Sequence, residues 1–246
     1  MRVLAIGNSF SSDAMRYLHR IAEAEKTEIK TVNLFIGGCP LSRHYANMHS
    51  GAPEYDFEFN GERTGIKVSL MQALQSDIWD VVTLQQASSL SIDYDTYQPY
   101  LNALAEYVRI HAPKARIYIH QTWAYEEGSK RLCSELGYAR RNDMYNDLKA
   151  SYLKAASVLG APVIPSGRVF EELSQMGVKG LYRDTFHASL GIGRLALGMV
   201  WYETLTKKTC TSENTLWLDE PVSENDLEAV RICAHIAAQA ALKGEL

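Results

Sequence analysis

Apolar positions along the chain fall into two alternating patterns. Short, nearly continuous runs at Arg2–Ile6, Glu28–Ile36, Asp80–Leu84, Arg116–Ile119 and Pro162–Pro165 predict strands buried on both faces. Between them, helical spacing over Asp13–Glu25, Ser69–Gln75, Tyr97–His111, Met144–Leu159 and Val169–Met176 predicts helices. An apolar helix is expected from Gly191 through Tyr202. Ser223–Ala240 starts at a serine suited to cap a closing C-terminal helix. Strands alternating with helices imply right-handed crossovers and an α/β fold with a mostly parallel five-stranded sheet covered on both faces. Residues 1–246 read as one domain.

Two stretches interrupt the alternation. Residues 41–65 lack a clear period and contain Tyr55–Phe59 followed by Asn60-Gly61, which predicts a small hairpin. The stretch is expected to be an insertion over the strand ends. Long irregular loops in compact domains often wall binding sites, so His44 and Tyr45 are either substrate contacts or solvated loop residues. Residues 126–141 are charged and predict a lid or rim, with Arg140 and Arg141 near its end.

Composition narrows the function classes. The chain is 46% hydrophobic and 22% charged, with a formal net charge of −4 and no long basic run. Neither nucleic acid nor an anionic membrane is therefore expected as a partner, and a small molecule or neutral polymer fits better. The 4 cysteines, Cys39, Cys133, Cys210 and Cys233, form no Cys-x-x-Cys pair, which gives no zinc signature. His19, His44, His49, His111, His120 and His235 make no metal motif, so neither a metal nor another cofactor is expected. The start lacks the charged, apolar and cleavage regions of a signal peptide, and no apolar run approaches membrane-spanning length. The sequence as written therefore predicts a soluble cytoplasmic protein; an export signal removed from a longer precursor would leave no trace.

Candidate chemistry lies at the strand ends. Ser9 follows the first strand in a turn to a helix, a place that suits a nucleophile, while Ser9, Ser11 and Ser12 equally suit an N-cap. Gly37-Gly38 fits an ordinary tight turn or a close backbone approach to a ligand. Gln85 and Gln86 either aim amides at a ligand or satisfy loop carbonyls, and strand alternation puts them on opposite faces, so only one is expected to reach a ligand. Asp184 and His187, three residues apart, supply a carboxylate and a base. A serine hydroxyl needs such a base, and the imidazole needs a carboxylate to hold its tautomer.

Gly7-Asn8-Ser9-Phe10, Gly37-Gly38, Leu84-Gln85-Gln86 and Asp184-Thr-Phe-His187 occur in the order of the four sequence blocks of the SGNH (GDSL-like) hydrolases, which the chain resembles. The resemblance implies a flavodoxin-like α/β/α sandwich and a serine esterase with Ser9, His187 and Asp184 as its triad. It also implies an oxyanion site built from the N–H groups of Ser9 and Gly38 and an amide of Gln85 or Gln86. The third block departs from the usual Gly-x-Asn-Asp and is more similar to carbohydrate O-acetylesterases that use glutamine. With Leu41-x-x-His44 and Thr122-Trp-Ala-Tyr125, the pattern most resembles the SGNH subgroup designated DUF4886. Expected substrates are small acyl esters, with an O-acetyl group on a sugar favoured, and Asn8, His44, Tyr45, Trp123 and Tyr125 are the expected substrate contacts. Acyl transfer would use the same residues. A non-catalytic module binding glycans or another small ligand is the rival reading, although neither Gly-x-Gly-x-x-Gly nor a P-loop pattern is present.

Overall fold

The computed structural model describes residues 1–211, 213 and 215–246. Seven strands, β1 (Arg2–Gly7), β2 (Lys30–Phe35), β3 (Tyr55–Phe59), β4 (Glu62–Val68), β5 (Val81–Leu84), β6 (Arg116–Gln121) and β7 (Val163–Pro165), form one sheet ordered β4-β3-β2-β1-β5-β6-β7. The five expected strands are its parallel part. The strand count of five is corrected by the hairpin of β3 and β4, which does not lie over the strand ends. It continues the sheet, with β3 antiparallel to β2 from Val32↔Phe59 to Phe35↔Asp56. Without β3, β2 would be an edge with unpaired backbone groups; the new edge, β4, is exposed and carries Glu62, Arg63 and Lys67, which disfavour pairing with another chain.

The helix expected at Asp13–Glu25 is two helices, α1 (Ser9–Met15) and α2 (Leu18–Ala24). The first starts before the apolar period because Asn8, not a serine, caps it. The supposedly irregular residues after Pro40 form α3 (Leu41–Ser50). Its buried stripe is Leu41, His44 and Asn47, mostly polar, so the helical period leaves no apolar signature. The remaining helices are α4 (Leu70–Gln75), α5 (Tyr100–His111), α6 (Arg141–Leu159), α7 (Ser166–Gln175), α8 (Ile192–Thr206) and α9 (Glu224–Lys243). One layer contains α1, α2, α7, α8 and α9, and the other contains α3 to α6. The closing helix α9 packs on α8, with the Ser223 hydroxyl capping it by accepting the Asp226 N–H. Among the described residues, no helix is long and apolar enough to cross a membrane.

The sheet order locates the site. From β1 the chain steps to β2 on one side and later to β5 on the other, opening a crevice at the carboxyl end of β1. Register aligns Ile6 with Leu34 and Leu84. Asn8-Ser9, Gly37-Gly38 and Gln85–Ser88 therefore leave the sheet side by side.

Candidate active site

The turn after β1 is built around absent side-chain atoms and a cap. A Cβ on Gly7 would lie 1.9 Å from Ser11 Oγ, so only glycine lets that hydroxyl accept the Asn8 N–H (3.0 Å). Asn8 Oδ1 accepts the Phe10 N–H (3.0 Å) and one amide hydrogen of Gln85 (2.9 Å), while its Nδ2 donates to the Cys39 carbonyl (3.2 Å). One buried amide thus ties the serine turn to the glycine turn and to the end of β5. Ser9 becomes the first residue of α1, where its N–H has no acceptor within the helix and the positive dipole end faces the crevice. Gly38 has φ +61°, a left-handed conformation that admits glycine cheaply and leaves no side chain between its N–H and the cleft.

The second half of the site arrives from residues 181–189. Leu181 and Ser189 close a tight loop (Ser189 N–H to Leu181 carbonyl, 2.8 Å), and Arg183 N–H donates to the His187 carbonyl (3.1 Å). Within it, Thr185 has φ +76°, a strained conformation for a β-branched residue, costing on the order of 1–3 kcal/mol. Its carbonyl is held by the Glu126 N–H at 2.7 Å, and the Phe186 carbonyl accepts Trp123 Nε1–H at 2.8 Å. From the other side, Asp13 on α1, almost fully buried, accepts Arg183 Nη1–H and Arg194 Nε–H, each at 2.9 Å. Arg183 also donates to the Ala188 carbonyl.

These restraints place Ser9 Oγ 2.8 Å from His187 Nε2, and His187 Nδ1 2.7 Å from Asp184 Oδ2. The other carboxylate oxygen of Asp184 accepts the backbone N–H of His187 (2.9 Å). Partial burial pushes the Asp184 carboxyl up, but the hydrogen bonds and charge of His187 together outweigh it, and its pKa lies below the ordinary carboxylate value. An ionised carboxylate at Nδ1 fixes that nitrogen as the donor and leaves Nε2 to accept a proton from the serine. The array borders a cleft of about 390 Å³ that also reaches Gly37, Gly38, Ser88, Ser89 and Tyr125.

Several expected substrate contacts lie elsewhere, enclosed in the core or packed on neighbouring rings. His44 is wholly enclosed, its ring parallel to that of Tyr55 (4°) with Nδ1 2.9 Å from the phenol oxygen; burial, with a smaller effect from Arg43, lowers its pKa to about 3. Tyr45 packs on His49 and Tyr100. Trp123 is a core residue, stacked between Phe10 (4.2 Å) and Phe170 (5.0 Å). Asn8 borders the cleft, yet its amide is turned into the clamp described above. Tyr125 does reach the cleft, where its hydroxyl meets Ser88 Oγ at 2.9 Å.

The two glutamines lie on opposite faces, and neither borders the cleft. Gln85 bridges Asn8 and His120, whose Nδ1 is 2.6 Å from Gln85 Oε1. Gln86 Oε1 accepts the N–H groups of Leu41 and Ala87, and its amide donates to Thr96. The expectation of a glutamine oxyanion donor is thereby corrected to the alternative of satisfied loop groups. The cleft also takes in residues that sequence reasoning missed: Phe35, Phe186, Ser88, Ser89 and Arg131. Phe186 stands inside Asp-x-x-His, which is a usable signal, whereas nothing distinguishes Arg131 from the other charges of the expected rim. None of the 4 cysteines is in a disulfide, and among the described residues no group of three His, Cys, Asp or Glu side chains is arranged to hold a metal ion.

Comparison with known proteins identifies the family and the fold. The profile of a domain of unknown function, DUF4886, matches residues 2–237. A crystal structure of a DUF4886 protein from Bacteroides uniformis is similar over 100% of this chain and 96% of that one, with 33% identity and a TM-score of 0.89. A Slackia heliotrinireducens protein provisionally assigned to the SGNH hydrolases aligns over 83% of this chain and 98% of its own, with 24% identity and a TM-score of 0.61. The acetyl xylan esterase AlAXEase aligns over 84% and 99%, with 15% identity and a TM-score of 0.56. No curated protein matches the sequence. The chain belongs to the DUF4886 family and has the α/β/α fold of the SGNH hydrolases.

Proposed function

We propose that this protein is a serine esterase that hydrolyses small acyl esters. The observation that carries the reading is the unbroken chain Ser9 Oγ, His187 and Asp184, with links of 2.8 and 2.7 Å, opening onto a cleft at a helix N-terminus. In this reading His187 Nε2 takes the serine proton as Ser9 Oγ attacks the ester carbonyl. The carbonyl oxygen becomes an oxyanion, stabilised by the backbone N–H groups of Ser9 and Gly38, which are donors fixed before the reaction begins. With Gln85 and Gln86 engaged elsewhere, this oxyanion site is assigned to the backbone. Collapse of the tetrahedral intermediate breaks the bond to the alcohol, which takes its proton from His187. Water, deprotonated by the same imidazole, then releases the acid and restores Ser9.

An acetyl group on a sugar suits the cleft. Phe35 and Phe186 line the cleft with apolar ring surface, while Ser88, Ser89 and Tyr125 offer hydroxyls, a mixture that suits a pyranose ring. Acetyl xylan esterases with this fold add support from similarity. The test is hydrolysis of 4-nitrophenyl acetate and of acetylated xylo-oligosaccharides by the wild type and by Ser9→Ala. The variant should lose at least about 10³-fold in kcat while melting at the same temperature; turnover within tenfold of wild type would exclude Ser9 as nucleophile.

A further inference from the structure

Among the described residues that line the cleft, Arg131 is the one with a permanent charge. It opens the helical turn Arg131–Glu135, in the segment that follows β6. Its guanidinium carbon is 3.8 Å from the centroid of the Phe186 ring, and that ring lies 3.9 Å, centroid to centroid, from the His187 imidazole. A cation held against a ring keeps its orientation at little entropic cost, and the contact leaves most of the five N–H donors of the guanidinium for other partners. The same charge acts on the Tyr125 phenol: burial raises that pKa most, and the Ser88 hydrogen bond and Arg131 oppose the rise.

The neighbouring arginines are occupied differently. Arg140 pairs with Asp143 (2.9 Å) and Arg141 with Glu171 (2.9 Å), whereas Arg131 enters no ion pair with a carboxylate of the described residues. Glu135, on the same turn, acts electrostatically on Tyr125 but does not line the cleft. The cleft therefore presents a planar, multidentate cation to its contents, one aromatic ring away from His187, and none of its lining residues is a carboxylate.

We propose that Arg131 binds a carboxylate carried by the substrate, so that the enzyme prefers acidic esters, such as an acylated uronic or hydroxy acid, to neutral ones of the same size. This rests on the esterase reading and gives Arg131 a role in binding and specificity; no bond to it forms or breaks. The fork of a guanidinium matches the two oxygens of a carboxylate, and a lysine in its place would supply charge without that match.

The test compares kcat/KM on three esters of closely similar size: neutral 4-nitrophenyl levulinate, 3-carboxy-4-nitrophenyl acetate, and 4-nitrophenyl hydrogen succinate. The second carries its carboxylate on the alcohol half and the third on the acyl half, so the pair identifies which half meets Arg131. Wild type should favour one of the acidic esters. Arg131→Gln, at an exposed position and so with an unchanged melting temperature, should lose about tenfold on that ester, mainly through KM, and less than about twofold on the neutral one. Arg131→Lys should recover part of the loss. Equal losses on all three esters would reduce Arg131 to a support for Phe186, and a wild type without charge preference would likewise overturn the proposal while leaving the esterase reading intact. Absence of turnover on every ester would overturn both.

Discussion

Asn8→Asp tests how far the serine turn depends on an amide. The substitution writes the Gly-Asp-Ser block that SGNH hydrolases carry, at nearly constant shape, into surroundings built for asparagine. Both acceptor contacts survive, to the Phe10 N–H and the Gln85 amide. The third contact inverts: the Nδ2 that donates to the Cys39 carbonyl at 3.2 Å becomes an oxygen facing an oxygen. Leaving that buried carbonyl without its donor costs about 1–3 kcal/mol, and enclosing a carboxylate at a position 1% exposed adds a penalty of similar size. The helix N-terminus returns about 1 kcal/mol, leaving a net loss of about 3 kcal/mol at pH 8. Burial and the facing carbonyl raise the folded-state pKa of the new carboxyl above its unfolded value of about 3.9. The deficit is accordingly full above the folded pKa and shrinks as pH falls through it, because the protonated acid donates where Nδ2 did. Urea unfolding of wild type and variant, followed by tryptophan fluorescence from pH 8 to pH 5, should show the difference falling from about 3 to under about 1.5 kcal/mol. A difference that stays constant with pH, or is below about 0.5 kcal/mol at pH 8, would refute the clamp.

Two further outcomes follow from the same geometry. Asp184→Asn keeps an oxygen for the backbone N–H of His187 but turns an amide donor toward Nδ1, which favours the wrong imidazole tautomer; kcat should fall about 10³- to 10⁴-fold, with little change in melting temperature because the Asp184 side chain is 45% exposed. An unimpaired kcat would exclude the orienting role. His44 and His120 are wholly buried, and burial lowers both pKa values to about 3, so the unfolded chain, with histidines near 6.5, binds protons first as the solution is acidified. Their contribution is complete above about pH 6.5 and is lost as pH falls toward 3, approaching about 2.7 kcal/mol per pH unit for the pair. A flat stability profile between pH 6.5 and 5 would contradict it.

Much of this architecture was legible because its signals are redundant. Val3–Ile6 and Val81–Leu84 are apolar runs that only doubly covered strands explain, and the glycine and serine turns mark their ends. Ser9, Asp184 and His187 stood out because residue type and order agreed. What escaped depends on partners far along the chain. Gln85 and Gln86 suit either ligand-directed amides or partners for loop carbonyls, and only the positions of Asn8, His120, Leu41 and Thr96 show them engaged. His44 belongs to a helix whose inner stripe includes a histidine and an asparagine, so no apolar period announced it. Arg131 acquires its place from Phe186, which lies 55 positions onward in the numbering.

The buried carboxylate of Asp13 has a consequence for how the proposed site comes apart. Ser9 and His187 are separated by 178 positions, yet Asp13 stands four residues after one, and its partner Arg183 four residues before the other. The two halves are tied together at a point four residues along the chain from each. A fluctuation that frees the loop must first break an ion pair whose carboxylate is buried beside α8, which raises the cost of local opening. The proposed Ser9–His187–Asp184 array should therefore persist until most of the domain unfolds, so that esterase activity and cooperative structure are expected to fall in one transition.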